Sequence, residues 1–195
     1  MAREAVHVVR RLADLCKSMN IKCVVQIGAE DGYEAAEIQE ATGCRAVCID
    51  PDPRTVKCSP RIEFFRVMIG PEDAIAHFYI NETMGLSGAI PRGGHEQHIA
   101  VEQLTLDTFC TSMSITPDAL IIDTEGTIMD VLGGADLTLP TVRLIYGEAY
   151  IDRSDEQVGS VVDVDKYLGE RGFVRRDGPP SYTAPPQGNY VWVRP

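Results

Sequence analysis

Short apolar runs alternate with amphipathic segments along the N-terminal part of this chain. Apolar side chains recur at helical spacing over residues 3–19, which predicts an amphipathic helix with one face on a core. The run IKCVVQIG at 21–28 is apolar, rich in β-branched residues and of strand length, which is typical of a strand buried on both faces of a parallel sheet. Residues 33–41 then predict a helix, and CRAVCID at 44–50 predicts a second buried strand.

The pattern becomes less regular in the middle of the chain. IEFFRVMI at 62–69 predicts a third strand, and AIAHFYI at 74–80 predicts a fourth that lies at a sheet edge or in a hairpin. The stretch 81–101 contains four glycines, a proline and two histidines without clear periodicity. We therefore predict a long loop there, and long loops in compact domains are usually functional or disordered.

The C-terminal part returns to alternating strands and helices. DALIID at 118–123 predicts a buried strand, and a short helix at 127–133 follows it and ends at two glycines. VRLIYGEAYI at 142–151 predicts another strand, and 155–171 predicts a helix that ends near Gly172. The remaining tail predicts two strands around a Pro-rich turn, the pattern of a hairpin.

This alternation, without an internal repeat or a linker, indicates an α/β fold with a doubly wound, mainly parallel sheet. The composition agrees, because 195 residues with 44% hydrophobic and 24% charged side chains suit one globular domain over residues 1–195. No segment approaches the roughly 20 consecutive apolar residues of a membrane span, and the N-terminal residues lack the pattern of a signal peptide. We therefore expect a soluble, cytoplasmic protein with no membrane partner.

Acidic residues outnumber basic ones. Lys and Arg total 18 against 29 for Asp and Glu, which gives a formal net charge of −11. Such a charge repels phosphate backbones and anionic lipid headgroups. Nucleic acid is therefore disfavoured as a partner.

The cysteine pattern contains no CxxC pair and so gives no sign of a disulfide framework. A reduced thiol packs as a small hydrophobic group, so we predict buried thiols in a reducing compartment. The cysteines concerned are Cys16, Cys23, Cys44, Cys48, Cys58 and Cys110.

A candidate ligand site follows the first predicted strand. Gly28 ends that strand and Gly32 opens the next helix, so the turn between them can bring backbone N–H groups close to a ligand. Asp50 ends the second strand 22 residues after Gly28, an offset at which an acidic side chain accepts hydrogen bonds from adenosine ribose hydroxyls. Glu30 and Asp31 in the turn would repel a diphosphate but tolerate a cation. The pattern indicates S-adenosylmethionine, whose sulfonium and ammonium groups are both cationic.

These segments resemble a known family. VVQIGAEDGYEAAEIQEATGCRAVCIDPDP looks like the first two motifs of class I S-adenosylmethionine-dependent methyltransferases. LTLDTFC at 104–110, ALIIDTEGTIMDVLGGA at 119–135 and LIYGEAY at 144–150 resemble the later motifs of the FkbM-type enzymes. The resemblance covers residues 22 to 151, and IDTEG is its most specific part. It implies a seven-stranded sheet of order 3-2-1-4-5-7-6 with the last strand antiparallel, and methyl transfer to a hydroxyl oxygen of a small molecule, sugar or polyketide.

Position by position, the resemblance implies a set of cofactor-binding residues. The turn after the first strand would line the methionine moiety, Asp50 would bind the ribose, and Val67 with Met68 would contact the adenine. Gln26 stands where an acidic residue near the cofactor's amine is common, and Ile121 stands where a lysine is usual. The cofactor-binding set is Gln26, Gly28, Ala29, Glu30, Gly32, Asp50, Val67 and Met68.

The resemblance also implies that Asp123, Glu125 and Glu148 lie near the transferred methyl group. Such acids could orient an acceptor hydroxyl, receive its proton or hold a divalent cation. Asp123 and Glu125 could instead only cap the helix that follows them. His95 and His98 are candidate bases, with surface positions as the alternative.

The predicted function is therefore an S-adenosylmethionine-dependent O-methyltransferase with a small-molecule acceptor. Two alternatives stay open: a nonenzymatic module or partner subunit that binds this cofactor, and an NAD-dependent oxidoreductase. Asp50 suits the NAD-dependent enzyme, but the spacing of the glycines does not. Because a domain of this size has little room for its own acceptor pocket, a homodimer that completes the pocket is a further hypothesis.

Overall fold

The helices and strands largely follow the predicted alternation. The computed structural model describes residues 2–82, 87–91, 97–151, 159–176 and 187–195. The helices in those residues are α1 (Ala2–Ser18), α2 (Tyr33–Thr42), α3 (Leu106–Ser112), α4 (Ile128–Gly133) and α5 (Val161–Gly169). The strands are β1 (Cys23–Ile27), β2 (Arg45–Ile49), β3 (Glu63–Phe65), β4 (Met68–Ile69), β5 (Ala74–Ile80), β6 (Gln97–Leu104), β7 (Ala119–Ile122), β8 (Leu144–Tyr150), β9 (Val174–Arg176) and β10 (Gln187–Val193).

Seven of these strands form one sheet in the order β3-β2-β1-β7-β8-β10-β9. In this sheet β3, β2, β1, β7 and β8 run parallel to one another. Strand β10 is antiparallel to both of its neighbours, β8 and β9. Numbered along the chain within this sheet, the order is 3-2-1-4-5-7-6. The predicted doubly wound, mainly parallel sheet with antiparallel C-terminal strands is confirmed.

Helices cover both faces of the main sheet. Val24 in β1 belongs to the core cluster that contains Ile38 of α2, together with buried residues of α1. The next residue, Val25, belongs to the opposite cluster, which contains Phe109 of α3 and Leu132 of α4. Because successive side chains of a strand point to opposite faces, a strand covered on both sides needs the continuous apolar run found in the sequence.

The predicted strand at 62–69 is wrong as a single element. Its first part, β3, pairs with β2 in the main sheet, whereas Met68 and Ile69 pair with β6 in a separate three-stranded sheet of order β4-β6-β5. The chain leaves the main sheet at Arg66, whose exposed guanidinium donates hydrogen bonds to the carbonyl oxygens of Asp52 and Thr55 at 2.6 and 2.7 Å. These bonds to the loop after β2 compete with a straight continuation of the strand.

The predicted loop at 81–101 is wrong in its C-terminal part. Residues 97–101 belong to β6, which pairs antiparallel with β5 from Ile80 opposite Gln97 to Ala74 opposite Gln103. Exposed polar side chains on one face of β6, among them His98 and Glu102, hid the strand from the apolar pattern. The prediction that 74–80 lies at an edge or in a hairpin is confirmed, and α3 was not predicted at all.

The last helix begins later than the predicted start of 155–171. Ser160 caps α5, because its Oγ accepts a hydrogen bond from the N–H of Asp163 at 3.3 Å while its own backbone is extended. The helix therefore starts at Val161 and ends at Gly169. The earlier part of the predicted helix, up to residue 158, lies outside the described residues.

Five of the six cysteines are buried and all six are free thiols, as predicted. The prediction is wrong for Cys58, which is exposed in the loop between β2 and β3. Within the described ranges, none of the helices combines the length and the apolar character needed to cross a bilayer.

Candidate active site

A cleft of about 910 Å³, counted with its open mouth, lies at the carboxyl ends of the central strands. Its lining includes Gly28 after β1, Asp50 after β2 and Asp123 after β7, while Met68 and Phe78 contribute from the smaller sheet. The order of the main sheet reverses at β1, which has β2 on one side and β7 on the other. Open α/β sheets bind their ligands at this reversal point. The cleft is therefore the candidate active site.

Gly28 lies at the centre of the cleft floor with a left-handed backbone, φ 72°. A Cβ at this position would lie 1.8 Å from the carbonyl oxygen of Asp123, so only glycine fits. The N–H groups of Gly28 and Ala29 both donate to the carbonyl of Ile49, at 3.0 and 3.2 Å. The sequence suggested that N–H groups of this turn approach a ligand, but these two are engaged within the protein. What the glycine allows is close contact between the ends of β1 and β7.

Gln26 does not line the cleft, although the resemblance implied a place near the cofactor's amine. Its side chain is buried, donates to Glu34 Oε2 at 2.8 Å and accepts from the N–H of Ala35 at 3.0 Å. Both contacts hold the N-terminal turn of α2 against β1. Ala29 and Gly32 are also absent from the lining, and Gly32 packs against Ile62 and Cys48.

Asp50 occupies the place expected for a ribose-binding acid. Its Oδ2 accepts from the N–H of Glu30 and its Oδ1 from the N–H of Asp52, both at 2.8 Å. Burial raises the pKa of this carboxyl to about 6, although the two backbone hydrogen bonds act in the opposite direction. Each oxygen retains a second lone pair, so the carboxylate can still accept from a ligand. Val67 and Met68, the expected adenine contacts, also line the cleft.

Three acids meet around the end of β7; Asp123 and Glu125 line the cleft, whereas Glu148 from β8 is not among the lining residues. One carboxylate oxygen from each of Asp123, Glu125 and Glu148 lies within 4.8 Å of the other two. Asp123 and Glu148 share a hydrogen bond. Asp123 is exposed to the cleft, but many protein atoms surround its carboxyl group and desolvate it. This desolvation, together with repulsion by Glu148 and Glu125, raises the pKa of Asp123 well above the usual range. We call these residues the acid cluster, and its geometry could hold a proton or a hard divalent cation.

His98, one of the two histidines predicted as candidate bases, does not join the acid cluster. His98 lies on the exposed face of β6, with its ring centroid 5.2 Å from that of His77 on β5. It does not line the cleft, because its side chain points away from the face of the small sheet that carries Phe78. His95 lies outside the described residues.

Several lining residues were not predicted as part of a site. Phe78 and Gln103 come from the small sheet, and Asp130 comes from α4. Thr124 also lines the cleft, and its buried Oγ1 has no hydrogen-bond partner among the described residues. The sequence carries no local signal for Phe78 or Gln103, since both depend on how β5 and β6 dock. Thr124 lies inside the IDTEG motif and could have been included.

The sequence profile of the FkbM methyltransferase domain matches residues 26–175. The chain belongs to this family. FkbM membership was expected from the segments at 104–110, 119–135 and 144–150, and that expectation is confirmed.

A curated relative is the 2-O-methyltransferase NoeI of Sinorhizobium fredii (strain NBRC 101917 / NGR234), which is 27% identical over 150 residues. The match covers 64% of this FkbM chain and 62% of NoeI. The chain thus spans about three fifths of the length of that relative.

Solved structures of methyltransferases share the fold at low sequence identity. Magnesium protoporphyrin IX methyltransferase (ChlM) from Synechocystis PCC 6803, solved with bound SAM, has a TM-score of 0.56 and 11% identity, over 98% of this chain and 80% of that one. A putative S-adenosylmethionine dependent methyltransferase from Listeria monocytogenes also has a TM-score of 0.56, with 10% identity over 100% of both chains. At these identities the comparison establishes the fold alone.

Proposed function

We propose that this FkbM-family chain is an S-adenosylmethionine-dependent methyltransferase that acts on a hydroxyl oxygen of a small molecule. The observation that carries the proposal is the position of the acid cluster. Two of its members, Asp123 and Glu125, line the same cleft as Asp50, and in the strand order Gly28 after β1 lies between Asp50 after β2 and Asp123 after β7. A ribose-binding acid at one end and proton-accepting groups at the other are what a methyl donor and a hydroxyl acceptor need. The printed activity of NoeI, a 2-O-methyltransferase, supports oxygen as the acceptor atom.

The residues of the cleft fit the cofactor in chemistry. Val67 and Met68 offer an apolar surface for an adenine ring, and the carboxylate of Asp50 suits ribose hydroxyls. Glu30 and Asp123 give the space between them a negative potential, which favours the sulfonium and ammonium groups.

When bound, S-adenosylmethionine supplies an activated methyl group. The contribution of the chain is to align the acceptor oxygen with that methyl carbon, which requires an approach of roughly 3 to 3.5 Å. Glu125 lines the cleft beside Asp123 and can accept a hydrogen bond from the acceptor hydroxyl. The hydrogen-bonded pair of Asp123 and Glu148 can take up the hydroxyl proton as the new bond forms.

Charge supports a small-molecule acceptor. The described lining contains six carboxylates and no Lys, Arg or His, and the whole chain has a formal charge of −11. A phosphate backbone would be repelled along this surface. The same carboxylates disfavour the diphosphate of NAD, so the family and the charges both argue against the oxidoreductase alternative.

A two-stage experiment tests the proposal. The melting temperature should rise with the logarithm of S-adenosylhomocysteine concentration above its Kd, and NAD should give no shift. Incubation with labelled S-adenosylmethionine and a panel of neutral, amino and phosphorylated sugars should then give transfer to neutral or amino sugars. No shift with S-adenosylhomocysteine contradicts the cofactor assignment. A shift without transfer to any hydroxyl compound favours the nonenzymatic module.

A further inference from the structure

Arg54 makes an unusually complete set of hydrogen bonds for an exposed side chain. Its Nε and Nη2 donate to both oxygens of Asp52, with the shortest contact at 2.6 Å. The Asp52 carboxylate is almost wholly buried, and these contacts lower its pKa against the effect of burial. A planar guanidinium can bind a carboxylate in this two-point manner, whereas a lysine ammonium cannot.

The remaining donors of Arg54 reach a different part of the chain. Nη1 donates to the carbonyl of Asn81 at 2.7 Å, and Nη2 donates to Ser87 Oγ at 3.0 Å. Ser87 Oγ also accepts from the N–H of Asn81 at 3.1 Å. Gly88 is fixed by two backbone hydrogen bonds to Tyr79, at 2.9 and 3.1 Å. Arg54 therefore ties the loop after β2 to residues 87–89, which we call the wall segment.

The wall segment forms part of the candidate active site. All three of its residues line the cleft. A Cβ on Gly88 would lie 3.5 Å from the Cβ of Glu125, so this residue packs beside the acid cluster. On the other side of the network, the N–H of Asp52 donates to Asp50 Oδ1 at 2.8 Å. One chain of contacts thus runs from the ribose-binding candidate Asp50 through Arg54 to the wall beside Glu125.

We infer that Arg54 is a positioning residue for methyl transfer, which acts by holding the wall segment in place through Ser87. The inference rests on the proposed function, because it assigns the wall segment to the acceptor side of that active site. The ion pair of Arg54 with the buried Asp52 lies within the loop after β2 and by itself does not reach the wall segment. The additional bonds of Arg54 to Asn81 and Ser87 serve to fix the shape of the cleft, where a small displacement of an acceptor lowers the rate steeply.

Ser87→Ala and Arg54→Lys separate this role from folding. Ser87→Ala leaves the Arg54–Asp52 pair in place and removes the hydrogen bonds that Ser87 Oγ accepts from Arg54 and from the N–H of Asn81. Arg54→Lys keeps the positive charge but loses the planar guanidinium that binds Asp52 at two points. Arg45→Lys is the matched control, because Arg45 makes an equally short two-point pair with Glu63 outside the cleft lining.

Hydrogen exchange gives a readout that needs no acceptor. In Ser87→Ala and in Arg54→Lys, the amide of Gly88, which donates to the carbonyl of Tyr79, should exchange at least about fivefold faster, while the amide of Val25 in the sheet centre is unchanged. The Kd for S-adenosylhomocysteine should stay within about threefold, since Asp50 keeps its backbone partners. Equal acceleration at Val25 would mean global destabilisation and would overturn the inference.

Turnover gives the second readout, with the sugar acceptor found by the transfer assay. Both variants should raise the acceptor KM at least about fivefold, with kcat within about twofold of the unmodified protein. The acceptor KM of the double variant should not exceed that of the single variant with the higher KM. Unchanged exchange and an unchanged acceptor KM in Ser87→Ala contradict the inference, as does an equal effect of Arg45→Lys. If S-adenosylhomocysteine fails to bind the unmodified protein, the proposed function fails, while the exchange experiment still tests the Arg54 contact.

Discussion

Gly28 and Asp123 meet backbone to backbone at the floor of the cleft. The carbonyl oxygen of Asp123 lies 1.8 Å from where a Cβ of Gly28 would be, and the N–H of Asp123 donates to the carbonyl of Ile27 at 2.9 Å. The ends of β1 and β7 are thereby held close enough for the turn after β1 and the acid cluster to share one cleft. The side chain of any other residue at position 28 would push the two strand ends apart.

Gly28→Ala should therefore be strongly destabilising. The added methyl group meets a backbone carbonyl that cannot move away, so we expect a loss of at least about 3 kcal/mol in the free energy of unfolding. Gly172→Ala is the matched control, since Gly172 also has a positive φ, of 82°, but has nothing within 4 Å of its Cβ position. That variant should lose only about 1 to 2 kcal/mol. Urea unfolding measures both, and similar losses in the two variants would contradict the steric account.

The affinity for S-adenosylhomocysteine should depend on the ionisation of Asp50. Burial raises the pKa of this carboxyl to about 6, and only the ionised form accepts hydrogen bonds from both ribose hydroxyls. The affinity should consequently increase by up to about tenfold between roughly pH 5 and pH 7.5. Asp50→Asn should remove this dependence and weaken binding at the higher pH by about 1.5 to 3 kcal/mol.

Titration calorimetry at the two pH values checks the Asp50 prediction. Asp14→Asn is the control, because Asp14 is an exposed acid on α1. This variant should show the same pH dependence as the unmodified protein. A dependence that persists in Asp50→Asn would assign it to another group.

Removing a charge from the acid cluster should affect turnover more than cofactor binding. Asp123→Asn and Glu148→Gln each keep a hydrogen-bonding side chain but lose a proton acceptor, so kcat should fall at least tenfold, about 1.4 kcal/mol in the barrier. Asp123→Asn should not lower the melting temperature, because the raised pKa of Asp123 means that its charged form is costly in the fold.

The control for the acid cluster is Asp136→Asn, which changes an exposed carboxylate outside the cleft lining. Its turnover should stay within about twofold of the unmodified protein. Full activity of both cluster variants would show that neither Asp123 nor Glu148 acts in methyl transfer. Activity that survives excess chelator would exclude a divalent cation and leave hydroxyl orientation or proton transfer.

His98→Ala should leave turnover within about twofold of the unmodified protein, because His98 lies on the exposed face of the small sheet. His77→Ala, which removes its ring partner, is the matched control and should behave in the same way. A tenfold loss of kcat in His98→Ala alone would restore this histidine as the base. Steady-state assays with an acceptor found in the transfer assay decide the question.

The sequence by itself determined the main sheet and the positions of its ligand-facing ends. The apolar runs of β1, β2 and β7 are nearly continuous because these strands are buried on both faces, and such runs stand out from their surroundings. Parallel strands bring their carboxyl ends to one edge, so Asp50 and Asp123 could be assigned to the same cleft.

Only the tertiary structure decided where the remaining candidates lie relative to Asp123 and the cleft. Glu148 joins Asp123 because β8 pairs with β7 in a register that sets Gly147 opposite Ile122, and a one-residue shift would reverse the side chains. Gln26 turned out to bind α2, and the strand that carries His98 docks with that histidine facing outward. Pairing register and the docking of a small sheet depend on contacts between distant segments, which local hydrophobic periodicity does not record.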